Sequence, residues 1–330
     1  MNRSLIFCTL LSFFLSLFFT ALISRFGLKA GFIDAPNERS SHTVIIPRSG
    51  GIGIWMAFIL TGLFFTQFQN LTILAGIIGL IGLLEDRFSI QQKLRLVMQL
   101  VISSIVVSLF TEMPASIIAV LLFLFWIIFI TGTANFYNFM DGIDGIAGLT
   151  GFIGYGFMAV FSFFLVEKSG VAMISTALSV GCLGFLPFNF PKARVFLGDV
   201  GSVLLGFVFA SFVIKLSTSI SEFLCIIMFL CMFYADSLVT IFCRLQRGDN
   251  IIMAHRRHLY QYMCNELKIP HWKVSLSYAS TQFVFAVLAL SAYKKGIVWQ
   301  IVVFVFFVVM FLIIDRIIKN IKPTTYICDV

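Results

Sequence analysis

The feature that most restricts this chain is a series of apolar runs without a charged residue, each close to the length of a bilayer-spanning helix. The runs predict helices near 5–24, 50–66, 70–84, 96–111, 114–131, 146–166, 171–190, 202–216, 222–242, 274–292 and 296–314, about eleven in all. The uncharged stretch 49–84 is too long for one helix and is expected to fold back at Gln67, Gln69 and Asn70. The runs do not alternate polar with apolar residues, which argues against a β-barrel. Of 330 residues, 60% are hydrophobic and 12% charged, against about half and a quarter in soluble proteins. That balance excludes a water-exposed fold, disorder, collagen and a nucleic-acid-binding module. The expected fold class is an all-α polytopic integral membrane protein, with residues 1–330 as a single domain.

The first span lacks a small-x-small cleavage pattern and runs straight into a basic loop, so it is expected to be retained rather than removed as a signal peptide. Alternating sides divides the loops into two sets. The set 25–49, 85–95, 132–145, 191–201, 243–273 and 315–330 holds 18 Lys and Arg, and the other holds five. By the positive-inside rule the first set is cytoplasmic, the N-terminus outside and the C-terminus inside. No cysteine falls in an outer loop, so no outer disulfide is expected.

Acidic residues are more lopsided still. Only Glu112, Glu167 and Glu222 fall on the outer side. Ionisable groups near a membrane are costly and are functional candidates. A transporter or lipid flippase would place some at mid-depth, whereas these line one face. Five segments carry them: 25–51, 85–95, 132–145, 189–202 and 243–273. The first ends in Pro47, Arg48, Gly50 and Gly51, a cation beside flexible glycines that suits phosphate. The second pairs Glu85 with Asp86, followed by Lys93 and Arg95; adjacent carboxylates repel unless a cation is near, which suits a divalent metal or a base. The third, NFYNFMDGIDG, has no basic residue, and helical spacing would align Asn135, Asn138 and Asp141, with Asp144 following. The fourth contains GDVGS, where Asp199 could bind a metal while backbone N–H groups meet a phosphate. The fifth packs His255, Arg256, Arg257 and His258 into a patch suited to a pyrophosphate. Each also has a plain reading as a cap, a turn or a basic surface loop. Asp236 could join the site or pair with a base, and His271 reads as interfacial packing. Together the segments supply oxygen ligands, cations and a base on one face, which suits phosphoryl transfer between a soluble nucleotide and a lipid.

In order along the chain, DAPNERSSH with PRSGG, ED followed by K, NFYNFMDGIDG, GDVGS and HRRH resemble the polyprenyl-phosphate N-acetylhexosamine-1-phosphate transferases, glycosyltransferase family 4. The resemblance implies a fold of ten or eleven helices, a cytoplasmic active site in the bacterial inner membrane, and a cofactor Mg2+, with Mn2+ as an alternative. It implies a UDP-aminosugar donor, undecaprenyl phosphate as acceptor, and no nucleic-acid partner; homodimerisation is left open. Carried over, Asn138 and Asp199 match the metal ligands. Glu85 and Asp86 match the catalytic pair, usually two aspartates, and Asp141 and Asp144 match the DGxDG acids. His255 and His258 match the histidine motif. Asn189 and Phe196 match positions that hold and stack on uracil, and Lys93, Arg48, Asn135 and Arg256 complete the substrate-binding set. The AHRRHLYQ form resembles the subgroup that initiates lipopolysaccharide O-antigen synthesis. A CDP-alcohol phosphatidyltransferase is the nearer rival, but its DG motif requires an Arg soon after Ala147, where this chain has Gly148, Leu149 and Thr150.

Overall fold

In a bilayer every backbone polar group must be satisfied within the protein, so apolar runs of this length fold as helices. The computed structural model describes residues 3–35, 44–249 and 256–321. Its helices are α1 Arg3–Phe26, α2 Ile52–Gly62, α3 Gln69–Phe88, α4 Gln92–Phe110, α5 Ile117–Phe139, α6 Ile146–Phe164, α7 Ser169–Asn189, α8 Gly198–Leu216, α9 Ile220–Ile227, α10 Cys231–Gln246, α11 Leu259–Asn265, α12 His271–Lys295 and α13 Ile297–Ile321. A 3-10 turn over Met228–Leu230 joins α9 to α10, so the two form one span, 220–246. Among the described residues ten helices are long and apolar enough to cross a membrane. The expected eleventh, 50–66, is the short α2, about 17 Å long at the helical rise. The chain folds back at Gln67–Asn70 as expected, through a 3-10 turn at Thr66–Phe68.

Helix α8 is the axis of the bundle, with nearly every residue from Val200 to Leu216 buried. Glycines let its neighbours come backbone to backbone. A Cβ on Gly82 of α3 would lie 2.5 Å from the Asp199 carbonyl oxygen, and one on Gly206 of α8 would lie 2.6 Å from the Thr133 carbonyl oxygen of α5. Small residues at such contacts are how membrane helices pack closely without a solvent-driven force. The consequence is local: the last turn of α3 is pressed against the first turn of α8, and α5 against the flank of α8.

A second clasp brings in the loop before α2. Strands β1 Ile33–Asp34 and β2 Ile46–Pro47 pair antiparallel, Ile33 opposite Pro47. The Phe196 N–H then donates to the Pro47 carbonyl (2.9 Å), Gly50 N–H to Phe196 O (2.8 Å) and Gly51 N–H to Leu197 O (2.8 Å). This backbone seam carries Arg48 and Ser49 to the start of α8.

Candidate active site

Helix boundaries decide which residues of the polar segments can meet. Helix α3 runs to Phe88, so Glu85 and Asp86 lie in its last turn rather than in a loop. Helix α5 runs to Phe139, so Asn135 and Asn138 are helical and the Asp-Gly turn shrinks to 140–145. Gly198 opens α8 at φ +74° with Asp199 next. A side chain at Gly198 would run into the Asp86 carboxylate, so the close approach as well as the left-handed φ requires glycine.

Asp86 is the most heavily bonded acid of the site. Its Oδ1 accepts from Arg48 Nε (2.8 Å) and Nη2 and from the Asp199 backbone N–H (3.0 Å). Its Oδ2 accepts from Ser49 Oγ (2.7 Å) and the Val200 N–H (3.4 Å). The carboxylate therefore caps the N-terminus of α8, where the orphan N–H groups and helix dipole favour an anion. This corrects the expectation that the GDVGS N–H groups face a phosphate, since two of them are already taken by Asp86. Asp199 accepts from Arg95 through Oδ2, and from Asn138 Nδ2 at 2.9 Å through Oδ1, with Arg48 Nη2 at 3.8 Å. Asn138 Nδ2 also donates to Ser202 Oγ (3.0 Å). Arg95 lies 3.7 Å from Glu85 Oε1, and Glu85 Oε2 is buried without a hydrogen-bond partner among the described residues.

The cluster is thus two arginines laid among Glu85, Asp86 and Asp199. Asp141 stands just outside it, half-buried at the turn. Burial first, and then the charges of Asp199, Asp86 and Asp34, push its carboxyl from 3.8 up to about 8. The Asp86 and Asp199 charges hold the Arg48 guanidinium above its usual value, against the opposing effect of burial.

No cluster of three or more His, Cys, Asp or Glu close enough to hold a metal occurs among the described residues. Yet Asp199, Asn138 and Ser202 put hard oxygen atoms within one small volume. Mg2+ typically takes only one or two protein carboxylates and fills its octahedron with water and substrate phosphate. The donor set fits such an ion once the Asn138 amide turns its oxygen, rather than its NH2, toward Asp199.

Other expected residues are placed elsewhere. Lys93 is exposed, and the inward position on α4 belongs to Arg95, one turn before buried Gln99. That phase, read back from the polar residue Gln99, is the signal that could have singled out Arg95. Asn135 donates to Gln99 Oε1 (2.7 Å) instead of lining up with Asn138 and Asp141. Asn189 is a buried brace: its Oδ1 accepts from Gly145 N–H (2.8 Å) and its Nδ2 donates to Val195 O (2.9 Å). Phe196 is half-buried, in the seam with the Pro47–Gly50 segment, and Arg256 is half-buried as well. Asp144 turns away from the cluster toward His271, Oδ2 to Nδ1 3.2 Å, and Ser275 Oγ donates to its carbonyl (2.7 Å). His271, expected to be mere packing, thus ties α12 to the Asp-Gly turn. His258 is buried beside Asp236, and His255 lies outside the described residues.

The glycosyl transferase family 4 pattern matches residues 68–217, which include Glu85, Asp86, Arg95, Asn138, Asp141 and Asp199. Among curated proteins, the chain is similar to a probable undecaprenyl-phosphate N-acetylglucosaminyl 1-phosphate transferase of Bacillus subtilis, 26% identical over 58% of this chain and 57% of that one. It is similar to an undecaprenyl-phosphate alpha-N-acetylglucosaminyl 1-phosphate transferase of Thermotoga maritima, 28% identical over 58% of this chain and 60% of that one. A decaprenyl-phosphate N-acetylglucosaminephosphotransferase of Mycolicibacterium smegmatis is 23% identical over 82% of this chain and 77% of its own. The match to the first two thus spans under two thirds of their length. Residues 68–217, the stretch that supplies the acids of the cluster, thus match glycosyl transferase family 4, and the chain is similar to these polyprenyl-phosphate transferases.

Proposed function

We propose that this protein transfers an N-acetylated aminosugar-1-phosphate from a UDP-sugar to undecaprenyl phosphate in the bacterial inner membrane, with its site facing the cytoplasm. The carrying observation is the cluster of Arg48 and Arg95 with Asp86 and Asp199 at the joined ends of α3 and α8. Two phosphate groups that must approach each other repel, and guanidinium groups held in place by carboxylates offset that repulsion without reorganising. The names of the similar proteins, which specify polyprenyl phosphate and N-acetylglucosamine 1-phosphate, support the same chemistry.

An acceptor phosphate oxygen attacks the donor β-phosphorus. The bond from that phosphorus to the oxygen bridging the α-phosphorus breaks, and the oxygen leaves with UMP. The product is a sugar–diphosphate–undecaprenol. In this reading Arg48 and Arg95, held by Asp86 and Asp199, meet the phosphates. Glu85, with one oxygen unpartnered, is the member of the acid pair able to take the acceptor's proton, while Asp86 orders Arg48 and α8. Asp199 and Asn138 would hold Mg2+, which when bound supplies charge neutralisation to the donor phosphates. His258, with His255, serves the diphosphate end of the donor. The AHRRHLYQ form favours a role in starting lipopolysaccharide O-antigen or a related envelope glycan.

The test is turnover by purified protein in vesicles with undecaprenyl phosphate, Mg2+ and UDP-N-acetylglucosamine carrying oxygen-18 in the sugar–phosphate bridge. UMP should be released and the label kept in the lipid, because the sugar C1–O bond is not cut. Release of UDP, or loss of the label, would establish ordinary glycosyl transfer and overturn the reading.

A further inference from the structure

Asp236 lies ten residues before the end of α10 and is 1% exposed in the apolar bundle. A carboxylate there is costly unless donors surround it. They do, from three elements. Oδ1 accepts from the Leu259 N–H (2.9 Å), Thr240 Oγ1 (3.2 Å) and His258 Nδ1 (3.3 Å). Oδ2 accepts from the Tyr278 hydroxyl (2.8 Å) and the Tyr260 N–H (3.3 Å). One carboxylate thereby joins α10, the start of α11 and α12. From the sequence, Asp236 could either join the site or pair with a base. It sits about 15 Å along the helix from its end, and α11 folds back into the protein to reach it.

The same segment touches the Asp-Gly turn. The Tyr260 hydroxyl donates to the Phe139 carbonyl at the end of α5 (2.9 Å), and a side chain at Gly142 would collide with that hydroxyl. The His258 ring lies 6.4 Å from the Phe139 ring, centroid to centroid. His258 is therefore held at a set position beside the turn that carries Asp141.

An ionised carboxylate only accepts, so the ring nitrogen that faces it must carry the hydrogen. In a neutral imidazole that choice fixes the tautomer. We infer that Asp236 is a positioning residue that selects the Nδ1–H form of His258 and seats it beside the Asp-Gly turn. This rests on the assignment of His258 to the donor diphosphate. A carboxylate that merely anchored α11 would hold Leu259 and Tyr260 equally well and would do nothing through the imidazole.

The experiment has two arms. The first reads the tautomer without catalysis, by solid-state nitrogen-15 spectra of histidine-labelled protein in lipid vesicles. The Nδ1–H signal that disappears in His258→Ala should also disappear in Asp236→Ala, which leaves no acceptor for it, and its persistence in Asp236→Ala would overturn the inference. The second arm is a double-mutant cycle on UMP release. Asp236→Asn should slow turnover about tenfold or more in the native background, the scale of one lost charge-assisted contact, and under about twofold when His258 is already Ala. Losses that multiply would mean an anchor acting independently of His258 and would overturn the inference. If the Asp236 variants fail to fold, the native spectrum decides alone: a His258 signal, assigned by its loss in His258→Ala, that shows Nε2–H instead of Nδ1–H would overturn the inference. If the native protein releases no UMP, the proposed reaction fails, and the spectra still decide the role of Asp236.

Discussion

Glu85 and Asp86 are neighbours in sequence with opposite surroundings. Asp86 accepts from Arg48, Ser49 and two N–H groups of α8, whereas Glu85 has one distant arginine and one unpartnered oxygen. The same chemical change should therefore act differently at the two. Asp86→Asn removes a cap and a charge partner, each worth about 1–2 kcal/mol, so both melting temperature and turnover should fall. Glu85→Gln should lower turnover by at least about tenfold and leave the melting temperature within about 2 °C, because the amide keeps an oxygen to accept the backbone bond from Ile90. Equal melting losses in both would contradict this division. Asp141 supplies a pH prediction. Its carboxyl is at about 8 when folded and at 3.8 ordinarily, so between those values the folded protein keeps a proton that the unfolded chain has lost. The stability it contributes is complete below about pH 4 and declines as pH rises toward 8. In metal-free protein the melting temperature should fall over that window, and Asp141→Asn should flatten the fall. Mn2+ binding, followed by electron paramagnetic resonance, should tighten up to about pH 8 and be largely lost in Asp199→Asn.

The contact between α3 and α8 is the element on which the site depends. It exists because Gly82 has no side chain, and the Asp199 carbonyl occupies the place where a Cβ would go. Gly82→Ala must part the two backbones, and overpacking of this kind costs about 1–3 kcal/mol. It also shifts Asp86 relative to Asp199, so turnover should drop about tenfold or more. Gly132 of α5 is the control, because nothing lies within 4 Å of a Cβ there. Gly132→Ala should leave turnover intact and raise stability by about 0.5–1 kcal/mol through backbone entropy. If both substitutions behave alike, the close approach is not what aligns the acids.

Across the whole molecule, the polar residues gather where α3, α5 and α10 end and α4, α6, α8 and α12 begin, and the chain's basic loops lie at the same end. The split of 18 Lys and Arg against five predicts which end is cytoplasmic. With native cysteines replaced, Ser89→Cys should react with an impermeant thiol reagent only after the membrane is opened, and Lys168→Cys should react in intact cells; both positions are exposed. The reverse pattern would turn the site outward. Much of this was legible beforehand, because burying a span in lipid is a property of the segment itself. Charge-free runs define helices without reference to any neighbour, loop charge predicts their direction, and the acids of ED, NFYNFMDGIDG and GDVGS mark the face. What only the tertiary structure decided are the partners: Arg95 rather than Lys93, Asp86 as the cap of α8, Asn135 on Gln99, His271 on Asp144 and Asp236 beneath His258. Those pairings depend on helix phase, on where each helix stops and on how closely two backbones pass. Lipid rewards any apolar sequence alike, so the apolar pattern carries no record of which helix lies beside which. That choice rests on glycines such as Gly82 and Gly206, whose effect appears only when another backbone fills the space they leave.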